Sequence, residues 1–170
     1  PSGVFNIITG DPERIGKFFS KNEAIKKITF TGSTKVGKYL MKSSSSTVKN
    51  ISLELGGNAP FIVFSDANIN DAIDGFLMAK FRNAGQTCIS ANRLFVHESI
   101  FEKFVENLIK KVRLLKVGDG MKGNDIGPLI SSEALNKIKN HVNDACNKGA
   151  KIVCGGKKHS QGDLFFQPTV

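Results

Sequence analysis

Apolar residues in this chain fall into short runs typical of strands, and the longer stretches between them repeat apolar residues at helical spacing. The short runs predict strands at 4–9, 25–30, 48–55, 60–64, 94–96 and 151–154. The helical spacing predicts helices over 13–20, 33–42, 66–84, 100–115 and 134–145. Strands that alternate with helices are typical of an α/β fold, so we expect mostly parallel open sheets covered by helices.

Serine, aspartate and glycine residues mark the ends of several of these elements. Ser33 is predicted to cap the second helix, and Ser65 or Asp66 to cap the third. Gly85 is predicted to end the third helix and Gly149 to end the last one.

The chain has the size of one domain or of pieces of two, with 170 residues, 40% of them hydrophobic and 23% charged. Two glycines at 56 and 57 predict a boundary between units 1–55 and 56–170. No apolar run reaches membrane-spanning length, and the first residues do not resemble a signal peptide. The chain lacks an initiator Met and both ends look cut, so we expect a segment of a longer protein.

The formal net charge of +9 does not by itself indicate a nucleic-acid or membrane partner. A basic protein can be attracted to nucleic acids or acidic lipids. Here the lysines are scattered, and no basic run is interleaved with aromatic residues. We therefore expect a lysine-rich solvated surface, with no nucleic-acid partner and no membrane partner.

The three cysteines, Cys88, Cys146 and Cys154, show no CxxC spacing. An odd and sparse set is typical of a reducing compartment and argues against a disulfide framework. The three histidines are far apart in sequence, so no metal site is predicted.

Cys88 is the first candidate for chemistry, because it follows a predicted turn at Gly85 and precedes a predicted strand. Most cysteines are small buried hydrophobes. A nucleophilic cysteine needs exposure and positive surroundings, and Arg82, six residues earlier, favours that interpretation although it is by default a surface charge.

Glu54 is the second candidate, because leucines flank it and two glycines follow. Those neighbours favour a partly desolvated position over a solvated one. Burial of a carboxyl group raises its pKa towards neutrality, where it can act as a general base.

The third candidate is the glycine-containing turn over 32–37, between a predicted strand and a predicted helix. Backbone N–H groups at a helix start favour a phosphate. The pattern is neither GxGxxG nor a P-loop, so an ordinary capped connection is the simpler interpretation of the turn by itself.

Three motifs in this order resemble those of the NAD(P)-dependent aldehyde dehydrogenases: Phe-Thr-Gly-Ser-Thr-x-x-Gly at 30–37, Glu-Leu-Gly-Gly at 54–57 and Gly-Gln-Thr-Cys at 85–88. Each motif is weak alone, but together they are highly specific, and the resemblance covers essentially the whole chain. The chain most resembles the succinate-semialdehyde dehydrogenase branch, through residues 54–60, 81–88, 118–120 and 126–130.

The resemblance implies that residues 1–55 end a Rossmann-like NAD(P)-binding domain and that residues 56–170 begin the catalytic domain. It implies that Cys88 is the nucleophile, that Glu54 is the general base and that Arg82 binds a substrate carboxylate. The residues implied to line the NAD or NADP site are Gly32, Ser33, Val36 and the backbone of Leu55 and Gly56.

The implied reaction is oxidation of an aldehyde to a carboxylic acid through a thiohemiacetal and a thioester, with succinate semialdehyde as the expected substrate. The alternatives are another ω-oxo acid, a neutral small aldehyde, or a non-catalytic relative of the same fold. The resemblance also implies a homo-oligomer, a dimer or tetramer, in the cytoplasm or the mitochondrial matrix.

Two departures from the family pattern affect these expectations. Some members of the branch carry a second cysteine two residues after the nucleophile, where this chain has Ser90, so no disulfide switch is expected there. The family's asparagine of the oxyanion hole and part of its cofactor site fall outside the chain, so the isolated segment is expected to be inactive.

Overall fold

A computed structural model describes all 170 residues, which form two units, Pro1–Gly56 and Gly57–Val170. This division falls one residue after the predicted boundary. Each unit contains one two-stranded parallel sheet with helices beside it, so the predicted α/β class with parallel sheets is confirmed. None of the helices is long and apolar enough to cross a lipid bilayer.

The first unit contains two helices and two strands: α1 is Pro12–Lys21, β1 is Lys27–Gly32, α2 is Thr34–Ser44 and β2 is Asn50–Leu55. A 3-10 helix over Ser45–Thr47 precedes β2. The strands pair in parallel from Lys27 opposite Asn50 to Gly32 opposite Leu55. The Ser33 hydroxyl accepts a hydrogen bond from the Val36 N–H at 3.3 Å, which confirms the predicted cap of α2.

Two close contacts hold this unit together. The ammonium group of Lys49 donates to the carbonyl oxygens of Phe19, Asn22 and Ile25 at 2.8–3.1 Å, and so satisfies the end of α1. Gly37 in α2 faces β2, because a Cβ there would lie 2.7 Å from Leu55 Cδ2. A glycine at this position therefore lets the helix lie close against the strand.

The second unit contains two strands and three helices: β3 is Ala59–Val63, α3 is Ile69–Phe81, β4 is Ala91–Val96, α4 is Phe101–Val112 and α5 is Ser132–Asn147. Short 3-10 helices cover Glu98–Ile100 and Gly120–Lys122, whereas the segment Arg82–Gly85 is a turn with left-handed residues. One buried cluster joins the sheet to α3 and α4, and its members are Val63, Ile73, Phe76, Ala91, Phe104, Leu108 and Val112. A second cluster joins α5 to the segments before and after it through Leu129, Leu135 and Phe166.

Two predicted strands are wrong. Residues 4–9 form no strand, because no neighbouring strand in the chain pairs with them, and their apolar side chains are exposed. Residues 151–154 also form no strand. Cys154 and Val170 exchange backbone hydrogen bonds at 3.0 and 3.1 Å, but the pairing does not extend into a ladder.

Several element ends also differ from the predicted ones. Strand β2 begins at Asn50 because Val48 takes a left-handed conformation with φ of 49°. The side chain that caps α3 is that of Asn68, not Ser65 or Asp66, since its Oδ1 accepts from the N–H groups of Asn70 and Asp71. Gly149, with φ of 96°, follows the end of α5 as predicted.

Candidate active site

The chain leaves α3 through a left-handed turn that ends just before Cys88. Asn83, Ala84 and Gly85 have φ values of 53°, 55° and 76°. Glycine adopts this conformation freely, whereas an alanine pays roughly 1–2 kcal/mol for it. The α-helix ends at Phe81, before the stop predicted at Gly85. Gly85 is instead the last residue of the left-handed turn.

Cys88 is exposed and its thiol is free, as the nucleophile proposed from the sequence requires. The Ser90 N–H donates to the Thr87 carbonyl oxygen at 3.2 Å, so the backbone turns tightly around Cys88. Ser90 itself is 2% exposed, and its hydroxyl donates to the Lys80 carbonyl oxygen at 3.4 Å. The Ser90 side chain therefore points into the protein while the neighbouring thiol is exposed.

The segment before β3 lies against Cys88. A Cβ on Gly57 would lie 2.9 Å from the Cys88 carbonyl oxygen, so only a glycine allows this approach without a shift. The Asn92 side chain donates to the Gly57 carbonyl oxygen at 3.4 Å, and Arg93 donates to the Asn58 carbonyl oxygen at 3.1 Å. Two side chains at the start of β4 therefore bind the backbone at the start of β3.

A β-bulge orients the side chain of Asn92. The register of β3 and β4 shifts between Ala59, which pairs with Ala91, and Pro60, which pairs with Arg93. Proline has no N–H to give to the ladder, and bulges often reorient a side chain near an active site. Asn92 is the extra residue of this bulge.

Lys80, in the last turn of α3, extends the same network. Its ammonium group donates to Asn92 Oδ1 at 3.2 Å and makes no ion pair in the chain. Burial lowers the pKa of Lys80 below its ordinary value. Sequence reasoning missed Lys80 and Asn92, because neither lies in a recognisable pattern and the bulge at Asn92 depends on how β4 pairs with β3.

Arg82 is the first residue after α3, and it is exposed. Its guanidinium group makes no hydrogen bond or ion pair within the chain, so its donors are available to a ligand. Arg82 precedes the left-handed turn and Cys88 follows it.

Glu54 lies in the first unit at the carboxyl end of β2, opposite Thr31 of β1. Its side chain is exposed, whereas the flanking Leu53 and Leu55 are half-buried. The expectation of a partly desolvated Glu54 is therefore wrong for this chain, because strand alternation turns the carboxylate to the open face and the leucines inward.

A cleft of about 920 Å³ lies in the first unit among the N-terminal segment, α1, β1 and α2. Of the residues predicted to line a cofactor site, Val36 lines this cleft, whereas Gly32, Ser33, Leu55 and Gly56 do not. Gly32 has a packing role, because a Cβ there would lie 2.5 Å from the Phe30 ring.

The lining of this cleft includes residues that the sequence analysis did not single out. Its walls are mainly apolar, and its charged residues are Glu13 in α1 and Lys35 at the first turn of α2. The other residues include Ile8, Thr9, Gly10, Ile15, Phe19, Phe30, Tyr39 and Leu40. Apolar walls fit a flat aromatic ring, and a cation beside a helix start fits a phosphate. The residues present therefore fit part of a dinucleotide, and the sequence signal was the turn Gly10-Asp11-Pro12 before α1.

Comparison with known proteins gives a consistent family. The chain is 50% identical to the NADP(+) succinate-semialdehyde dehydrogenase of Escherichia coli, over 100% of this chain and 36% of that protein. It is 47% identical to the glutarate-semialdehyde dehydrogenase of Pseudomonas aeruginosa, over 100% of this chain and 35% of that protein.

Among solved structures, the succinate-semialdehyde dehydrogenase of Burkholderia pseudomallei matches with a TM-score of 0.96 and 48% identity, covering 99% of this chain and 35% of that one. The chain thus spans about a third of the length of these relatives. The model of the aldehyde dehydrogenase family matches residues 1–170, and the chain therefore belongs to the aldehyde dehydrogenase family.

Proposed function

We propose that the protein containing this chain oxidises an aldehyde to a carboxylic acid with NAD⁺ or NADP⁺. The observation that carries the proposal is the free, exposed thiol of Cys88, which follows a left-handed turn and lies next to the Gly57 backbone. Strained backbone of this kind is found where the surroundings hold a group for function. Membership of the aldehyde dehydrogenase family supports the same reaction.

Cys88 is the nucleophile in this proposal. Its thiolate sulfur attacks the carbonyl carbon of the aldehyde, a C–S bond forms, and the carbonyl oxygen becomes an oxyanion. The backbone N–H of Cys88 is one donor to that oxyanion, in a position fixed by the turn. NAD⁺ or NADP⁺, when bound, supplies the acceptor for the hydride that leaves the same carbon, and Cys88 then carries a thioester.

Glu54 is the general base for the second half of the reaction. Its carboxylate takes a proton from a water molecule, the resulting hydroxide attacks the thioester carbon, and the C–S bond breaks. The carboxylic acid leaves and the Cys88 thiolate is restored. The support for this role is the Glu-Leu-Gly-Gly motif at 54–57 and the match to the aldehyde dehydrogenase family, since Glu54 in this chain is exposed and not desolvated.

The cleft lined by Val36 and Lys35 is the part of the cofactor site that this chain contributes. Its mainly apolar lining suits an adenine ring, and Lys35 suits a phosphate group. Both NAD⁺ and NADP⁺ remain candidates, since both carry the same ring and pyrophosphate.

Succinate semialdehyde is the substrate that we propose, because Arg82 offers an unpaired guanidinium near Cys88 in the chain. A carboxylate loses its hydration on entering a site, and a bidentate arginine offsets that cost. The 47% identity to a protein named for glutarate semialdehyde makes a longer ω-oxo acid the alternative. Both substrates carry the carboxylate that Arg82 would bind.

The reaction is tested with the full-length protein, by following reduced cofactor with each aldehyde and each cofactor. Cys88→Ser should abolish turnover, because an alkoxide forms far less readily than a thiolate. Glu54→Gln should leave a burst of reduced cofactor and slow the steady state, because only hydrolysis of the thioester needs the base. Retained turnover in Cys88→Ser, or a burst rate that falls as far as the steady state in Glu54→Gln, would contradict these roles.

Substrate choice is tested by the ratio of kcat/KM for succinate semialdehyde to that for butanal. Arg82→Ala should lower this ratio by about tenfold to a hundredfold, since a charge-assisted hydrogen bond contributes roughly 1.5–3 kcal/mol. Arg82→Lys should recover part of the loss, because lysine cannot donate two parallel bonds. An unchanged ratio would favour a neutral aldehyde as the substrate.

A further inference from the structure

Gln86 precedes Cys88 by two residues and is half-buried. Its Oε1 accepts a hydrogen bond from the Ile130 backbone N–H at 2.9 Å. Its Nε2 donates to the carbonyl oxygens of Asn83 at 3.2 Å and of Pro128 at 3.3 Å. One amide therefore contacts three backbone groups, two of which lie 42 and 44 residues further along the chain.

The segment that receives Gln86 is itself fixed in the protein. Leu129 is 4% exposed and packs in the second hydrophobic cluster, beside α5. Its N–H also donates to the Leu164 carbonyl oxygen at 2.9 Å. Gln86 thus ties the turn before Cys88 to the exposed residues Pro128 and Ile130, which are anchored through the buried Leu129 between them.

The turn needs a tether of this kind because its backbone is strained. Asn83 and Ala84 have positive φ, and such conformations persist only where their surroundings hold them. The Asn83 side chain donates to the Gln86 carbonyl oxygen at 3.2 Å, and the Gln86 N–H donates back to the Asn83 carbonyl oxygen at 3.1 Å. These two hydrogen bonds lie within the turn, whereas the hydrogen bonds to Pro128 and Ile130 connect the turn to another segment.

We propose that Gln86 is a positioning residue, which holds the thiol and the backbone N–H of Cys88 in their reactive arrangement. The inference rests on the proposed role of Cys88 as nucleophile. A sulfur atom must lie about 3–3.5 Å from the carbonyl carbon for attack, and displacement by about 1 Å can cost a hundredfold in rate. Gln86 touches neither substrate nor cofactor and acts through the turn.

The first test compares Gln86→Met with Gln167→Met in the full-length protein. Methionine keeps the length of glutamine but neither donates nor accepts comparable hydrogen bonds, and Gln167 is a half-buried glutamine whose side chain makes no hydrogen bond in this chain. Gln86→Met should lower single-turnover hydride transfer roughly 10- to 100-fold, with KM changed much less. Wild-type turnover by the folded Gln86→Met protein would overturn the proposal, even if its stability fell.

A second variant covers the case in which Gln86→Met does not fold. Gln86→Glu keeps an acceptor for the Ile130 N–H but turns an ionised oxygen towards the carbonyl oxygens of Asn83 and Pro128. A protonated carboxyl group has one O–H donor. The ordinary pKa of a glutamate is about 4.3, so the ratio of variant to wild-type kcat should rise as the pH falls from about 6.5 to about 4.5. A ratio that does not change over this range would contradict the proposal.

The rate of alkylation by iodoacetamide reports how accessible and reactive the Cys88 thiol is, and it needs no turnover. Cys88 and Cys146 are both exposed, so Cys146 is an internal reference in the same molecule. In Gln86→Met the ratio of the two alkylation rates should change at least about threefold, and in Gln167→Met it should stay constant. An unchanged ratio in Gln86→Met overturns the positioning role. A changed ratio in a protein that oxidises no aldehyde supports that role and refutes the proposed function instead.

Discussion

Gly57→Ala should displace Cys88 with a small and calculable shift. The new Cβ would lie 2.9 Å from the Cys88 carbonyl oxygen. Carbon–oxygen contacts of this type begin at about 3.3 Å, so the backbone must move by about 0.4 Å. The atom in the way is a backbone oxygen, and no side-chain rotation can relieve the overlap.

Two magnitudes follow from this displacement. Overpacking costs about 1–3 kcal/mol, so the free energy of unfolding should fall by that amount. If a shift of about 1 Å costs a hundredfold in rate and the logarithm of the rate scales with distance, 0.4 Å costs about sixfold in hydride transfer.

The assay pairs urea unfolding with single-turnover hydride transfer in the full-length protein. Gly120→Ala is the matched control, because a Cβ at Gly120 meets nothing within 4 Å. If Gly57→Ala matched this control in both measurements, the close approach of Gly57 to Cys88 would not exist in the folded protein.

Three further predictions concern stability. Lys49→Met should lower the free energy of unfolding by about 2–3 kcal/mol in urea titrations, because three carbonyl oxygens lose a charged donor. Gly85→Ala should cost about 1–2 kcal/mol by the same measurement, because its φ of 76° is left-handed and a Cβ would lie 3.1 Å from the Lys80 carbonyl oxygen. Burial lowers the pKa of Lys80 in the folded state, so the unfolded chain keeps the Lys80 proton to higher pH than the folded protein does. The free energy of unfolding should therefore rise with pH between the lowered pKa and about 10.4, the ordinary pKa of a lysine. The slope in wild type should exceed that in Lys80→Met, and equal slopes would contradict the burial of the ammonium group.

Local chemistry explains which parts of the fold were predictable. The cap at Ser33 and the stop at Gly149 depend on residues within one turn of the helix end, and both predictions are confirmed. The strand predicted at 4–9 is wrong because a strand also needs a partner, which a short apolar run does not specify. The start of α3 was misplaced because Asn68, like Ser65 and Asp66, is a good capping residue, and the sequence does not rank them.

The candidate site divides in the same way. Cys88 and Arg82 can be picked out from the sequence because they lie on either side of the turn predicted at Gly85. Both residues are exposed as expected. Ala84 gives no sign of a left-handed conformation, since alanine prefers the right-handed helix. Gln86 gives no sign of its partners, because these lie more than 40 residues away and become neighbours only through packing.

Parallel pairing explains how each unit gathers distant motifs. In the first unit, β1 and β2 run in register, so Gly32 lies opposite Leu55 and Thr31 opposite Glu54 at the carboxyl ends of the strands. Ligands of α/β proteins commonly bind beyond such ends.

The second unit uses the opposite ends of its strands. Parallel pairing brings together the starts of β3 and β4, and the segments that precede these starts carry Gly57 and Cys88. The side chains of Asn92 and Arg93 then bind the backbone of residues 57 and 58, so the first residues of β4 fix the entry to β3. Because Cys88 lies before its strand and not after it, we expect its position to depend on the hydrogen bonds of the Gln86 amide in the preceding turn and on the close approach of the Gly57 backbone.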